Sequence, residues 1–211
     1  MSNIEDLIDK LAQDTTTVKP APHPFALSAK WMLTAAVYLA VSLMISGPRF
    51  DIETKLHDFW FVAEMAALLG IFFATSLSAA LLSFPDMHQK RRAVLAPAVA
   101  FVVFIGVMFL SWQADSPPAP LPRHSFECSM MISMLSLLPA VWTFFQMRKF
   151  ASTHSLWAGS IAMLFAFSIG AIWLRLDEIN DSIIHVIEWH YLPMIAAGLI
   201  GMWLGKRFLK W

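Results

Sequence analysis

His124, Glu127 and Cys128 crowd the start of one apolar run, and His185, Glu188 and His190 crowd the start of another. Imidazole, thiolate and carboxylate are the donor types that hold zinc or copper ions, so the six residues form a candidate metal-sensing cluster with Cu or Zn as its signal. At i, i+3, His185 and Glu188 share a helix face, whereas His190 points elsewhere unless the helix starts later. No C-x-x-C or H-E-x-x-H spacing accompanies them, and the same residues also suit plain polar capping at a membrane interface. Glu64 lies about one turn inside a third apolar run, where a carboxylate must be neutral, paired or turned toward a wet cavity. The chain contains no Ser-His-Asp arrangement, phosphate loop or dinucleotide fingerprint. The expectation is therefore a protein that is not an enzyme, with no catalytic or cofactor-binding residues. Cys128 is the single cysteine, which excludes an intrachain disulfide framework.

Those residues are carried by six apolar runs, Phe25–Ile45, Phe59–Phe84, Ala93–Trp112, Cys128–Met147, Ser155–Leu174 and Ile187–Gly205. A bilayer's hydrocarbon core needs about 20 residues of helix, so each run predicts a membrane span. Composition agrees: 58% of residues are hydrophobic, only 14% are charged, and mean hydropathy is +0.61. The predicted fold class is an all-α membrane protein, a six-helix bundle with a short cytoplasmic tail at its N-terminus. A signal peptide is not expected at the first run, because Glu5, Asp6, Asp9 and Asp14 precede it in place of a basic region.

Net charge is zero, but the cations are unevenly distributed. With both termini in the cytoplasm, the inner set holds Lys10, Lys19, Lys30, Lys90, Arg91, Arg92, Arg148, Lys149, Lys206, Arg207 and Lys210. The outer set holds only Arg49, Lys55, Arg123 and Arg175. The positive-inside rule then predicts an N-in, C-in protein, with both termini cytoplasmic. Trp31, Trp60, Trp112, Trp157, Trp173, Trp189 and Trp203 fall near run ends, where indoles prefer the headgroup region. The expected outer loops are Gly47–Asp58, Gln113–Glu127 and a stretch around Arg175–Val186. The basic turn Lys90–Arg92 is too short for a nucleic-acid site.

Residues 1–24 read as a separate tail, and residues 25–211 as the membrane domain. Ser2 and Glu5 have capping-box spacing, and Ile4, Leu7, Ile8 and Leu11 then recur at i, i+3, i+4 and i+7. That stripe predicts an amphipathic, partner-binding helix, followed by a linker carrying Pro20, Pro22 and Pro24. Within the spans, Ala158, Ala162, Ala166 and Gly170 form one small-residue stripe and Ala197, Gly201 and Gly205 another. Such stripes let helix backbones approach closely, within a chain or in a homodimer. Pro139 predicts a kink in the fourth span.

The ordered set Ile4-Glu5-Asp6-Leu7-Ile8-Asp9-Lys10-Leu11-Ala12, Cys128, Leu137-Leu138-Pro139 and Arg148-Lys149-Phe150-Ala151 resembles the negative-regulator-of-sigma-F (NrsF-like) family of bacterial membrane anti-sigma factors. Ala158-Gly159, Trp189-His190-Tyr191-Leu192-Pro193 and the terminal Gly201, Gly205, Arg207, Leu209 and Trp211 continue the likeness over nearly the full length. The resemblance implies a protein that holds an extracytoplasmic-function sigma factor at the bacterial inner membrane through its cytoplasmic portion. An envelope stress signal at the outer face would then release it. Many such proteins have a second cysteine in the last outer loop, where Leu176 or a neighbour stands here, so an intramolecular dithiol switch is not expected, and metal ligation, intermolecular thiol redox chemistry or another cue stays open as the signal. The competing class is a small proton- or cation-coupled transporter, resting on Glu64 and the outer ligands.

Overall fold

The computed structural model describes residues 4–13, 20–85, 94–114, 126–150 and 152–210. The proposed capping residue Ser2 and the loop residue His124 lie outside them. Helix α1 (Ile4–Gln13) is followed by the spans α2 (Pro24–Ser46), α4 (Phe59–Leu82), α5 (Ala96–Ala114), α6 (Phe126–Met147), α7 (Ser155–Asp177) and α8 (Ile183–Phe208). A single turn, α3 (Ile52–Lys55), lies between the first two spans. All six spans are long and apolar enough to cross a membrane.

The starts and stops follow local chemistry. Pro24 occupies the first turn of α2, where its missing N–H costs nothing. Asp58 caps α4 by accepting a hydrogen bond from the Trp60 amide at 3.0 Å. Gly47 ends α2 at φ 85°, a backbone conformation that penalises a Cβ.

Helix α7 is the axis of the bundle, packing against α2, α4, α6 and α8. Its small residues make that possible. A Cβ on Gly159 would run into the backbones of Gly201 and Gly205 on α8, and one on Gly170 would run into Ile132 and Ser136 on α6. Ala158, Ala162 and Ala166 are buried alongside. Both small-residue stripes are thus consumed within the chain. Helices α2 and α5 are peripheral, with most of their apolar surface exposed for lipid. Two of the predicted interfacial indoles turn inward instead: Trp31 is fully buried, edge-on to Trp142, and Trp173 is also buried. Each finds an inter-helix gap that its large ring fills, which outweighs the headgroup preference.

Prolines create two backbone vacancies, and hydroxyls fill both. Pro139 cannot donate to the Leu135 carbonyl, and the Tyr38 hydroxyl of α2 donates there instead, at 2.9 Å. Pro193 cannot donate to the Trp189 carbonyl, and the Ser129 hydroxyl of α6 donates there at 2.5 Å. In a bilayer such carbonyls have no water to turn to, so a neighbouring helix must supply the donor.

The sixth span departs most from expectation. It begins at Ile183 and includes a π-helical segment, Val186–Tyr191, before regular α-helix resumes at Leu192. A proline ring clashes with the carbonyl four residues before it. Widening the turn around Trp189 relieves that clash, and π-bulges of this kind are frequent at functional sites.

Candidate functional site

Two side-chain clusters share the end of the bundle where α6 begins. The first is Cys128, His185 and His190, all buried, whose potential ligand atoms lie within 4.8 Å of one another. Cys128 sits in the first turn of α6, with its Sγ 3.6 Å from Nε2 of His185. Glu178, at the end of α7, brings Oε2 to 3.8 Å from the same sulfur. The His185 and His190 rings meet edge to face, with centroids 5.0 Å apart.

The π segment is what makes this meeting possible. On a regular helix, residues five apart point about 140° away from each other. The extra residue in the wide turn brings His185 and His190 back to one side. The expectation that His190 points elsewhere is thereby corrected. Glu127 and Glu188 are exposed and lie outside the group that the other three form. Glu178 stands where a carboxylate was expected from them.

His190 is the unusual member. It is 0% exposed, and neither ring nitrogen has a hydrogen-bond partner among the described residues. Burying an imidazole without a partner costs on the order of 1–3 kcal/mol, which a bound cation would offset. The donor set also fits: a tetrahedral zinc ion with ordinary Zn–S and Zn–N bonds sets its sulfur and nitrogen ligands about 3.6 Å apart, the separation found between Cys128 and His185. One thiolate with two imidazoles suits zinc or copper over magnesium or calcium.

The second cluster is an ion network on the adjoining face. Arg175, 3% exposed, forks onto Glu64 with Nε–Oε1 at 2.7 Å and Nη2–Oε2 at 2.9 Å, and its Nη1 reaches Asp181 Oδ1 at 3.1 Å. Tyr191, beside His190, donates its hydroxyl to Glu64. Arg49 forks onto both Asp51 (2.6 and 2.9 Å) and Asp181 (2.9 and 2.8 Å), and Lys55 Nζ adds a third cation to Asp181 at 2.9 Å. Both guanidinium groups lie over the Phe61 ring. The backbone N–H of Arg49 also donates to the Leu176 carbonyl at 2.8 Å, stitching the turn after α2 to the end of α7.

The electrostatics follow from this geometry. Burial pushes the Asp181 carboxyl up, but hydrogen bonds from Arg49 and Lys55, with the charges of Arg175 and Arg49, hold it well below the usual carboxylate range. The Arg49 hydrogen bonds likewise hold Asp51 low. Asp51 and then Asp181 hold the Arg49 guanidinium above its ordinary value despite its burial.

Arg49, Arg175, Asp181 and Tyr191 were not singled out from the sequence. A signal was present, since Glu64 lies inside one apolar run and Arg175 directly ends another, and opposite charges so placed pair. Paired in this way, Glu64 is accounted for by packing chemistry, which removes the main support for a transport pathway.

The family model described as "Negative regulator of sigma F" (NrsF) matches residues 11–211. The chain is also 27% identical over 213 residues to the "Anti-sigma-F factor NrsF" of Caulobacter vibrioides (strain NA1000 / CB15N), a match that covers 98% of this chain and 99% of that protein. No solved structure matches.

Proposed function

The chain belongs to the negative-regulator-of-sigma-F family, and from that premise we propose that it holds an extracytoplasmic-function sigma factor at the bacterial inner membrane and releases it on a metal signal. The near full-length match to an anti-sigma factor is the observation that carries this reading. Both termini are cytoplasmic, as the excess of lysine and arginine on that side requires. The sigma factor is held by α1, whose Ile4, Leu7, Ile8 and Leu11 are all exposed and form one apolar stripe. A helix of this length is marginal in water and gains its stability from a partner.

The signal acts at Cys128, His185 and His190 on the outer side, with copper or zinc as the ion. Cys128, His185 and His190 would hold the ion, with the Cys128 thiol giving its proton to solvent, and would so tie the start of α6 to the start of α8. Because His190 is adjacent in sequence to Tyr191, occupancy of the site would bear on the Tyr191–Glu64 hydrogen bond. A ligand shifts an equilibrium only by its differential affinity for the two states. The bundle state with the metal bound must therefore present α1 less favourably to sigma.

The test is Leu7→Asp combined with Leu11→Asp. Burial of two leucines is worth about 3–6 kcal/mol, so the double variant is expected to free sigma while remaining membrane-inserted. Sigma retained at the membrane by the double variant would reject α1 as the binding element.

A further inference from the structure

At the end of the bundle opposite Cys128, α6 and α8 diverge. Both continue to rest on α7, and the space between them is a groove of about 570 Å³. Ala140 and Ala197 contribute small side chains to its lining, and Phe144, Phe145 and Phe208 line it toward Arg148. The groove follows α6 from Ser133 to Arg148, about 22 Å of helix at 1.5 Å per residue.

Over that length the lining is apolar apart from Ser133, Ser136 and Arg148, and a single extended hydrocarbon chain matches both the length and the chemistry.

Charge is confined to one end. Arg148 lines the groove there, and its guanidinium has no hydrogen bond or ion pair among the described residues. Lys206 and Arg207 occupy the last turn of α8 beside Phe208. The far end, at Ser133 and Pro193, has no charged lining residue. A long apolar groove with a free cation at its mouth matches a molecule with a long hydrocarbon tail and an anionic head.

We propose that this groove seats one acyl chain of an anionic phospholipid, whose phosphate is held by Arg148. The site is separate from the Cys128 cluster and does not depend on which sigma factor is bound. Native mass spectrometry of the full chain, released from micelles containing equal phosphatidylglycerol and phosphatidylcholine, tests it. One phosphatidylglycerol per chain is expected to be retained in preference to phosphatidylcholine. Arg148→Gln should cut that preference about fivefold, as loss of one cation near a headgroup implies. Because Arg148 is exposed and unpaired, this variant leaves the fold intact. Ala196→Trp, on the exposed rim of the groove, should abolish retention of both lipids. Equal retention of the two lipids by the parent would overturn the proposal. So would retention that ignores both substitutions, or a second copy of the chain in place of lipid that Ala196→Trp removes.

Discussion

The two clusters at the Cys128 end lie side by side and differ in one respect: the ion network is saturated and the Cys-His cluster is not. Every charge of Glu64, Arg175, Arg49 and Asp181 meets an opposite charge at 2.6–3.1 Å. Next door, His190 is fully buried with both ring nitrogens unsatisfied. A saturated cluster resists change, because altering any member strands another. An unsatisfied one stores a penalty that a ligand can remove. The contrast separates residues that hold the bundle end together from residues poised to bind.

Breaking the saturated side should have the largest effect. Arg175→Ala leaves the Glu64 carboxylate buried and uncompensated, and removing one partner of such a pair costs about 3–5 kcal/mol. Thermal unfolding in detergent should show a strong loss, and substituting Glu64→Leu together with Arg175→Met should recover much of it. A single variant as stable as the parent would contradict the saturated reading.

The unsatisfied side should respond with the opposite sign. His190→Leu removes a buried group that lacks partners, so stability should rise or hold, by up to about 1–3 kcal/mol. The same variant should lose any stabilisation by added zinc or copper(I). In the parent protein, an ion at a hundredfold excess over its Kd should add about 2.7 kcal/mol. If metal stabilises parent and variant alike, the cluster is not the site.

The smallest and sharpest difference concerns pH. The folded carboxyl of Asp181 is held below its unfolded value of about 3.9. Its contribution is therefore fully present above that value and is lost only as pH falls through the lower folded one. Between pH 8 and 5 the network should be unchanged. Metal affinity should fall over the same interval, because protons compete for the thiolate and imidazoles. Metal titrations and unfolding curves at both pH values should separate the two clusters.

Hydropathy alone made the spans legible, because about 20 apolar residues in a row have few other uses. Cys128, His185 and His190 were also legible as a candidate set from their donor chemistry. Their geometry was not, since periodicity assumes a uniform turn and the π segment breaks it. The cause was in view: Pro193 sits four residues after Trp189, a spacing that disturbs that carbonyl. Glu127 and Glu188 were drawn in by sequence proximity, whereas Glu178 reached the sulfur from another helix. The network around Asp181 joins residues more than a hundred positions apart, a closure that no local pattern encodes.

The hydroxyls that fill the two proline vacancies have a mechanical meaning. Ser129 follows Cys128 directly and grips the wide turn of α8, so the thiol and the two imidazoles are fastened to one small rigid corner. Further along the same helix, Pro139 interrupts the backbone hydrogen-bond ladder, and Tyr38 ties that point to α2 through the Leu135 carbonyl. Helix α6 is in effect a lever, loaded at Cys128 and pinned near its middle. The helix that holds the pin is α2, and the helix that precedes it in the chain, by way of residues 14–23, is α1.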